Sequence, residues 1–147
     1  MGKTNDKVEI KVTIPGNPIA KARPRFARRE KYVSTYNPQE TEEGLFVARF
    51  HNQAGITSPL TGPLIVMCEF HMRRPKNHYG TGKNSERLKP SVSKYHTQKP
   101  DTDNLTKFVL DSLNGYAWVD DCQIIATNAV KRWADDFPKT EIVIMGV

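Results

Sequence analysis

Lys99-Pro100-Asp101-Thr102-Asp103-Asn104-Leu105-Thr106-Lys107-Phe108-Val109-Leu110-Asp111-Ser112-Leu113-Asn114-Gly115 is the stretch from which the rest of the chain can be ordered. At about 100° per residue, Leu105, Phe108, Val109 and Ser112 fall on one side of a helix. Asp103, Lys107 and Asp111 fall on the other, four residues apart and stacked turn upon turn. The spacing predicts a helix over 103–113, ended by Asn114-Gly115 in the manner common at helix carboxyl termini. Asp101 projects from the amino end of the same polar edge, which therefore carries carboxylates and an ammonium side by side.

The apolar face of such a helix needs a sheet to lie on. Leu64–Met72, a compact apolar run after Thr61-Gly62-Pro63, predicts a buried strand. Ile124–Trp133 and Thr140–Met145 predict two more, separated by a turn at Asp135-Asp136-Phe137-Pro138. Val8–Ile14 alternates apolar and polar side chains and closes at Pro15-Gly16, as a half-buried strand would. Asn37-Pro38-Gln39-Glu40 has the cap, proline and acids of a helix start. Phe46, Val47, Phe50 and Ala54 then share one face, which places a helix at about 38–54. Residues 17–36 read as irregular and strongly basic, and 73–99 as a long aperiodic loop. Loops of that length are either functional or disordered. No repeat or boundary divides the chain, so a single domain over 1–147 is expected.

With 147 residues, 37% hydrophobic and 26% charged, the composition is that of a globular domain. The net charge of +6 excludes an acidic scaffold and favours a polyanionic partner. Residues 100–147 hold eight of the sixteen acids but only four of the 22 Lys and Arg, so a basic amino-terminal part meets an acidic segment. An enzyme acting on nucleic acid needs both, cations for phosphates and clustered carboxylates for a metal. No apolar run approaches the ~20 residues of a membrane span. The amino terminus has neither a secretory signal nor a myristoylation site, so a soluble cytoplasmic protein is expected, with no membrane partner and no organic cofactor. Cys68 and Cys122 stand far apart, and His51, His71, His78 and His96 show no ligand spacing, so no zinc site is indicated. Trp118 and Trp133 are expected in the core rather than stacked on bases.

The acidic helix is followed by Trp118-Val119-Asp120-Asp121. A helix from Asn104 to Leu113 is about 15 Å long, and an extended Gly115–Asp120 segment covers roughly 20 Å. An antiparallel return would bring the Asp120-Asp121 pair near Asp101 and Asp103, with only one of the two neighbours facing them. Carboxylates so gathered repel unless a cation lies between them. The all-oxygen set favours magnesium, or manganese as a substitute, over zinc. An EF-hand is disfavoured because the glycine of D-x-D-x-D-G is missing. Taken singly, each acid also has an ordinary role: Asp101 or Asp103 as a helix cap, Lys107 paired with Asp111, and Asp120-Asp121 as a turn.

Lys99-Pro100-Asp101-x-Asp103-Asn104-x-x-Lys107, Asp111-x-Leu113-Asn114-Gly115 and Trp118-x-Asp120-Asp121-x-Gln123-Ile124 resemble the signature of the RusA-type Holliday-junction resolvases. Arg23-Pro24-Arg25-Phe26 resembles the family's basic amino-terminal motif, and Lys131 also fits. The resemblance runs from about residue 8 to the end and is weak over roughly 27–98. It implies an α/β (α+β) fold, a small mixed sheet of about four strands with helices packed against it. It further implies a phage or prophage enzyme, a homodimer that cuts branched DNA with magnesium or manganese and leaves a 5′ phosphate. Carried over by position, Asp101, Asp103 and Asp121 would hold metal and Lys107 would be the catalytic lysine, with the role of Asp120 left open. Lys21, Arg23, Arg25, Arg28, Arg29, Arg73, Arg74, Lys76 and Lys99 would grip DNA backbone, the 73–99 loop ordering as it binds. Two other readings share the sequence features: a broader nuclease for flaps, forks or replication intermediates, and a non-catalytic DNA-binding protein.

Overall fold

Alternation of more and less buried side chains along three of the four main-sheet strands sets the architecture. The computed structural model describes residues 8–28 and 33–147. In chain order these form β1 (Glu9–Pro15), β2 (Arg25–Arg28), β3 (Val33–Tyr36), α1 (Glu40–Ala54), β4 (Leu64–Met72), α2 (Thr102–Leu113), β5 (Ile124–Trp133) and β6 (Lys139–Gly146). The main sheet has the order β1-β6-β4-β5, with β4 and β5 parallel and the other pairs antiparallel. A parallel pair needs a crossover, and here the crossover carries α2. The expected small mixed sheet of four strands, with helices packed on it, is therefore present.

In β4, Leu64, Val66, Cys68, Phe70 and Met72 are all buried and face one way, with Ile10, Val12 and Ile14 of β1 and Ile142 and Ile144 of β6. Both helices cover this face. Phe46 and Phe50 come from α1, Leu105, Phe108, Val109 and Leu113 from α2. The Phe46 and Phe108 rings meet edge to face at 5.4 Å, which joins the two helices over the sheet. Burial of Cys68 pushes its thiol pKa up to about 12, so it behaves as a small apolar side chain. No helix of the described residues is long and apolar enough to cross a membrane.

Three expectations need correction. The first helix starts at Glu40, not at 38: Asn37 Oδ1 accepts from the Gln39 amide at 2.9 Å and closes a turn instead of capping the helix. The basic stretch read as irregular contains the β2–β3 hairpin, with Arg25 opposite Tyr36 and Arg28 opposite Val33. Its strands are four residues long and leave Phe26 and Val33 exposed, so they carry no hydrophobic periodicity to read. The 73–99 segment is not wholly irregular, although residues 81–91 are all exposed. It contains one-turn helices at Lys76–His78 and Gly82–Asn84, and the rings of His78 and His96 lie 4.6 and 4.4 Å from Trp133.

Because Phe108 joins α2 to both α1 and the sheet, Phe108→Ala should lower unfolding free energy by about 3–5 kcal/mol. Urea denaturation followed by tryptophan fluorescence measures this. A loss below about 1 kcal/mol would show that the helix is seated by other contacts.

Candidate active site on the polar edge of helix α2

The amino end of α2 is built by backbone contacts from three directions. Leu105 N donates to Asp101 O at 3.2 Å, placing Asp101 just outside the first turn, where its side chain makes no capping bond. Lys131 Nζ donates to Gln98 O and Pro100 O, both at 2.6 Å, and so fixes the approach to Asp101 from β5. Lys21 N donates to Asn104 O at 3.0 Å. The Lys21 side chain then runs to Glu43 at 2.7 Å and Asp111 at 3.5 Å, tying α1 to α2. Burial opposes its charge, but the two carboxylates outweigh burial and hold its pKa above the ordinary lysine value.

The carboxyl end of α2 turns sharply. Gly115 has φ of +79°, a conformation that suits glycine, and its amide donates to Trp118 O at 2.9 Å. Asn114 Oδ1 accepts from Asp121 N at 3.1 Å. Trp118 is fully buried, and its Nε1 donates to Asp121 Oδ1 at 2.7 Å. These two bonds orient Asp121. The neighbouring Asp120 shapes the turn instead. Its Oδ1 accepts from Cys122 N at 3.1 Å, while its backbone N donates to Gln123 Oε1 at 2.9 Å. Gln123 Nε2 then reaches Leu60 O and Gly62 O, both at 3.0 Å, anchoring the turn to the rest of the fold.

Asp103, Lys107 and Asp111 from α2, Asp121 from the turn, and Thr127 and Ala129 from β5 line one open cavity of about 450 Å³. Asp101 and Asp120 stand outside that lining, both exposed. The return after α2 is shorter than the extended path anticipated from sequence, because residues 115–118 fold into a turn. Asp121 nevertheless lines the same cavity as Asp103 and Asp111. Partial burial raises the Asp121 pKa, and the charges of Asp111 and Asp120 raise it further against the Trp118 hydrogen bond. The cavity thus has three carboxylates, threonine oxygens and one ammonium. That donor set fits a hard divalent cation and, beside it, a phosphate.

The basic residues divide into two groups. Arg23, Arg25, Arg28, Arg73, Lys76 and Lys99 are exposed. Lys21 and Arg74 are internal ties: Arg74 Nε donates to Ala134 O at 3.0 Å and its side chain is only 4% exposed. Arg29 lies outside the described residues. Asn114, Trp118 and Lys131 stand in the sequence motifs, but their contacts with Asp121 and with the Gln98 and Pro100 carbonyls emerge only in the fold.

A raised carboxylate pKa means that the folded state takes up the proton more readily than the unfolded chain. Ionised Asp121 therefore opposes folding at neutral pH, and that opposition is relieved as the pH falls through the raised value. In chelator-treated protein, Asp121→Asn should melt higher than wild type at neutral pH, with the gap closing in mild acid. Thermal denaturation across pH measures this, and a lower midpoint for the variant at neutral pH would contradict it.

Comparison with known proteins gives the family. Residues 15–145 match the family model described as Endodeoxyribonuclease RusA. An uncharacterized protein of Bacillus subtilis (strain 168), YqaN, is 30% identical over 139 residues, spanning 94% of this chain and 96% of that protein. Since the family match extends over β4, α2, β5 and almost all of β6, it covers every element that shapes the cavity. This chain belongs to the RusA endodeoxyribonuclease family.

Proposed function

We propose that the protein resolves four-way DNA junctions by divalent-metal-dependent phosphodiester hydrolysis at the α2 cavity. The observation that carries this reading is the convergence of Asp103, Lys107 and Asp121 on one open cavity in a chain of an endodeoxyribonuclease family. Asp103 and Asp121 would hold the metal, with Asp101 contributing from the amino end of the helix. Magnesium bound there, or manganese in its place, would supply a polarised phosphate and a water of lowered pKa.

The chain's own groups define the rest. Trp118 holds the carboxylate of Asp121 and Asn114 its backbone amide, so the residue need not reorganise when substrate arrives. Lys107 is one helical turn from Asp103, and its ammonium offsets charge that develops on the phosphate oxygens. Asp111 is tied to Lys21, which moderates its repulsion of Asp121. The exposed Arg23, Arg25 and Arg28, with Arg73, Lys76 and Lys99, hold DNA backbone without reading sequence. A four-way junction has near two-fold symmetry, and a homodimer with an isologous interface offers it two matching cavities.

Cleavage assays with magnesium on four-way junction, flap and linear duplex DNA test the proposal. Wild type should nick the junction in preference to the others. Asp103→Asn and Asp121→Asn should each reduce the rate by about 100-fold or more while retaining junction binding, and Lys107→Ala should lower it by about 100- to 1,000-fold. Wild-type rates in either aspartate variant would remove the cavity from the chemistry. Equal cutting of flaps would establish the broader substrate range instead.

A second experiment addresses the arginines. Arg23→Ala with Arg25→Ala should weaken binding to all DNA sequences alike and reduce the slope of log affinity against log salt by roughly 2. An unchanged slope would assign both to the fold.

A further inference from the structure

The uncovered face of the main sheet carries a second cluster, made by the register of β4 and β6. Glu69 and Glu141 are direct cross-strand partners. Like charges placed directly opposite one another destabilise an antiparallel pair. His71, two residues along β4 on the same face, aims its Nε2 between them, 3.3 Å from Glu69 Oε1 and 3.7 Å from Glu141 Oε2. The His71 side chain is 9% exposed, and this nitrogen is buried without a hydrogen-bond partner. Such an atom costs free energy unless something satisfies it.

The neighbouring cations do not fill that role. Arg132 stands 3.5 Å from Glu69 but only 2.7 Å from Asp135. Lys139 stands 3.7 Å from Glu141 but 3.2 Å from Asp136. Each stands closer to an aspartate than to its glutamate, and neither satisfies the imidazole nitrogen, which faces the two glutamates. One donor atom from each of the three residues lies within 4.8 Å of the others. Ligands about 2.0–2.2 Å from a zinc ion stand at most roughly 4.4 Å apart, so small side-chain rotations close the site.

We propose that Glu69, His71 and Glu141 bind a transition-metal dication, zinc by preference, on the face of the sheet opposite the α2 cavity. An imidazole nitrogen beside two carboxylates suits zinc better than magnesium, which prefers oxygen ligands and keeps its waters. Three protein ligands leave a fourth position for water, and both glutamates are more than a third exposed on that side. The metal cross-links β4 to β6 and neutralises the glutamate pair. In sequence the site is only Glu69-x-His71 with a distant Glu141, a pattern without ligand spacing until the strands pair.

The test is zinc binding to chelator-treated protein by equilibrium dialysis, in a Cys122→Ser background so that the exposed thiol is not counted. Zinc should bind at one equivalent, with no displacement by excess magnesium. Loss of a supporting partner outside the ligand set already costs about 10- to 100-fold in metal affinity, so His71→Gln should weaken zinc by about 100-fold or more. Glu141→Gln, at a partly exposed position that spares the fold, should also weaken zinc strongly. A protein with both Asp103→Asn and Asp121→Asn should bind zinc as wild type does, separating this site from the α2 cavity. The proposal is overturned by three results: no bound zinc, zinc retained by His71→Gln, or zinc lost from the Asp103/Asp121 double variant. It is also overturned if nitrogen NMR shows that His71 holds only a proton between the glutamates when zinc is present.

Discussion

Asp103, Asp111 and Asp121 share one cavity, and keeping these like charges on one polar edge is the constraint around which the site is organised. Like charges on one edge would move apart if nothing held them. The fold instead restrains each one by a different element. The helix backbone sets Asp103 and Asp111 on one edge, Lys21 bridges Asp111 to Glu43, and Asn114 with Trp118 holds Asp121 in place. Partial burial, followed by the charges of Asp111 and Asp120, holds the Asp121 pKa above the ordinary carboxylate value. The three carboxylates are thereby kept on one open cavity, where a cation can draw them together.

Those restraints explain why the core is arranged as it is. Phe46 against Phe108 fixes the distance between the helices and lets Lys21 span them. The parallel pairing of β4 and β5 brings Thr127 and Ala129 beneath the polar edge of α2. Further along β5, Lys131 reaches the carbonyls ahead of Asp101. One strand thus forms the floor of the cavity and also secures the start of the acidic helix.

Much of this was legible in sequence because it rests on local periodicity. The buried side of α2, with Leu105, Phe108, Val109 and Ser112, follows from spacing alone, as do Leu64–Met72 and Ile124–Trp133 as strands. Features that depend on long-range geometry were not legible. The β2–β3 hairpin buries too little to leave a pattern, and His78 and His96 of the 73–99 segment pack on Trp133, which lies far beyond its end in sequence. The path after α2 looked extended because nothing in Gly115–Trp118 announces how tightly it folds back. Glu69, His71 and Glu141 meet only through the β4–β6 register. Lys21 and Arg74 look like their exposed neighbours in sequence, yet tertiary partners have already taken their charges.

Two faces of one sheet therefore present different donor chemistry, oxygen alone beside α2 and nitrogen with oxygen on the uncovered side. The central claim concerns the first of these. Anomalous diffraction from crystals soaked in manganese tests it most directly, because it locates the ion without reference to activity. The account predicts a strong peak within ligand distance of both Asp103 and Asp121, inside the cavity and beside Lys107. A cavity without a peak, with the aspartates instead engaged by lysine or arginine side chains, would contradict it.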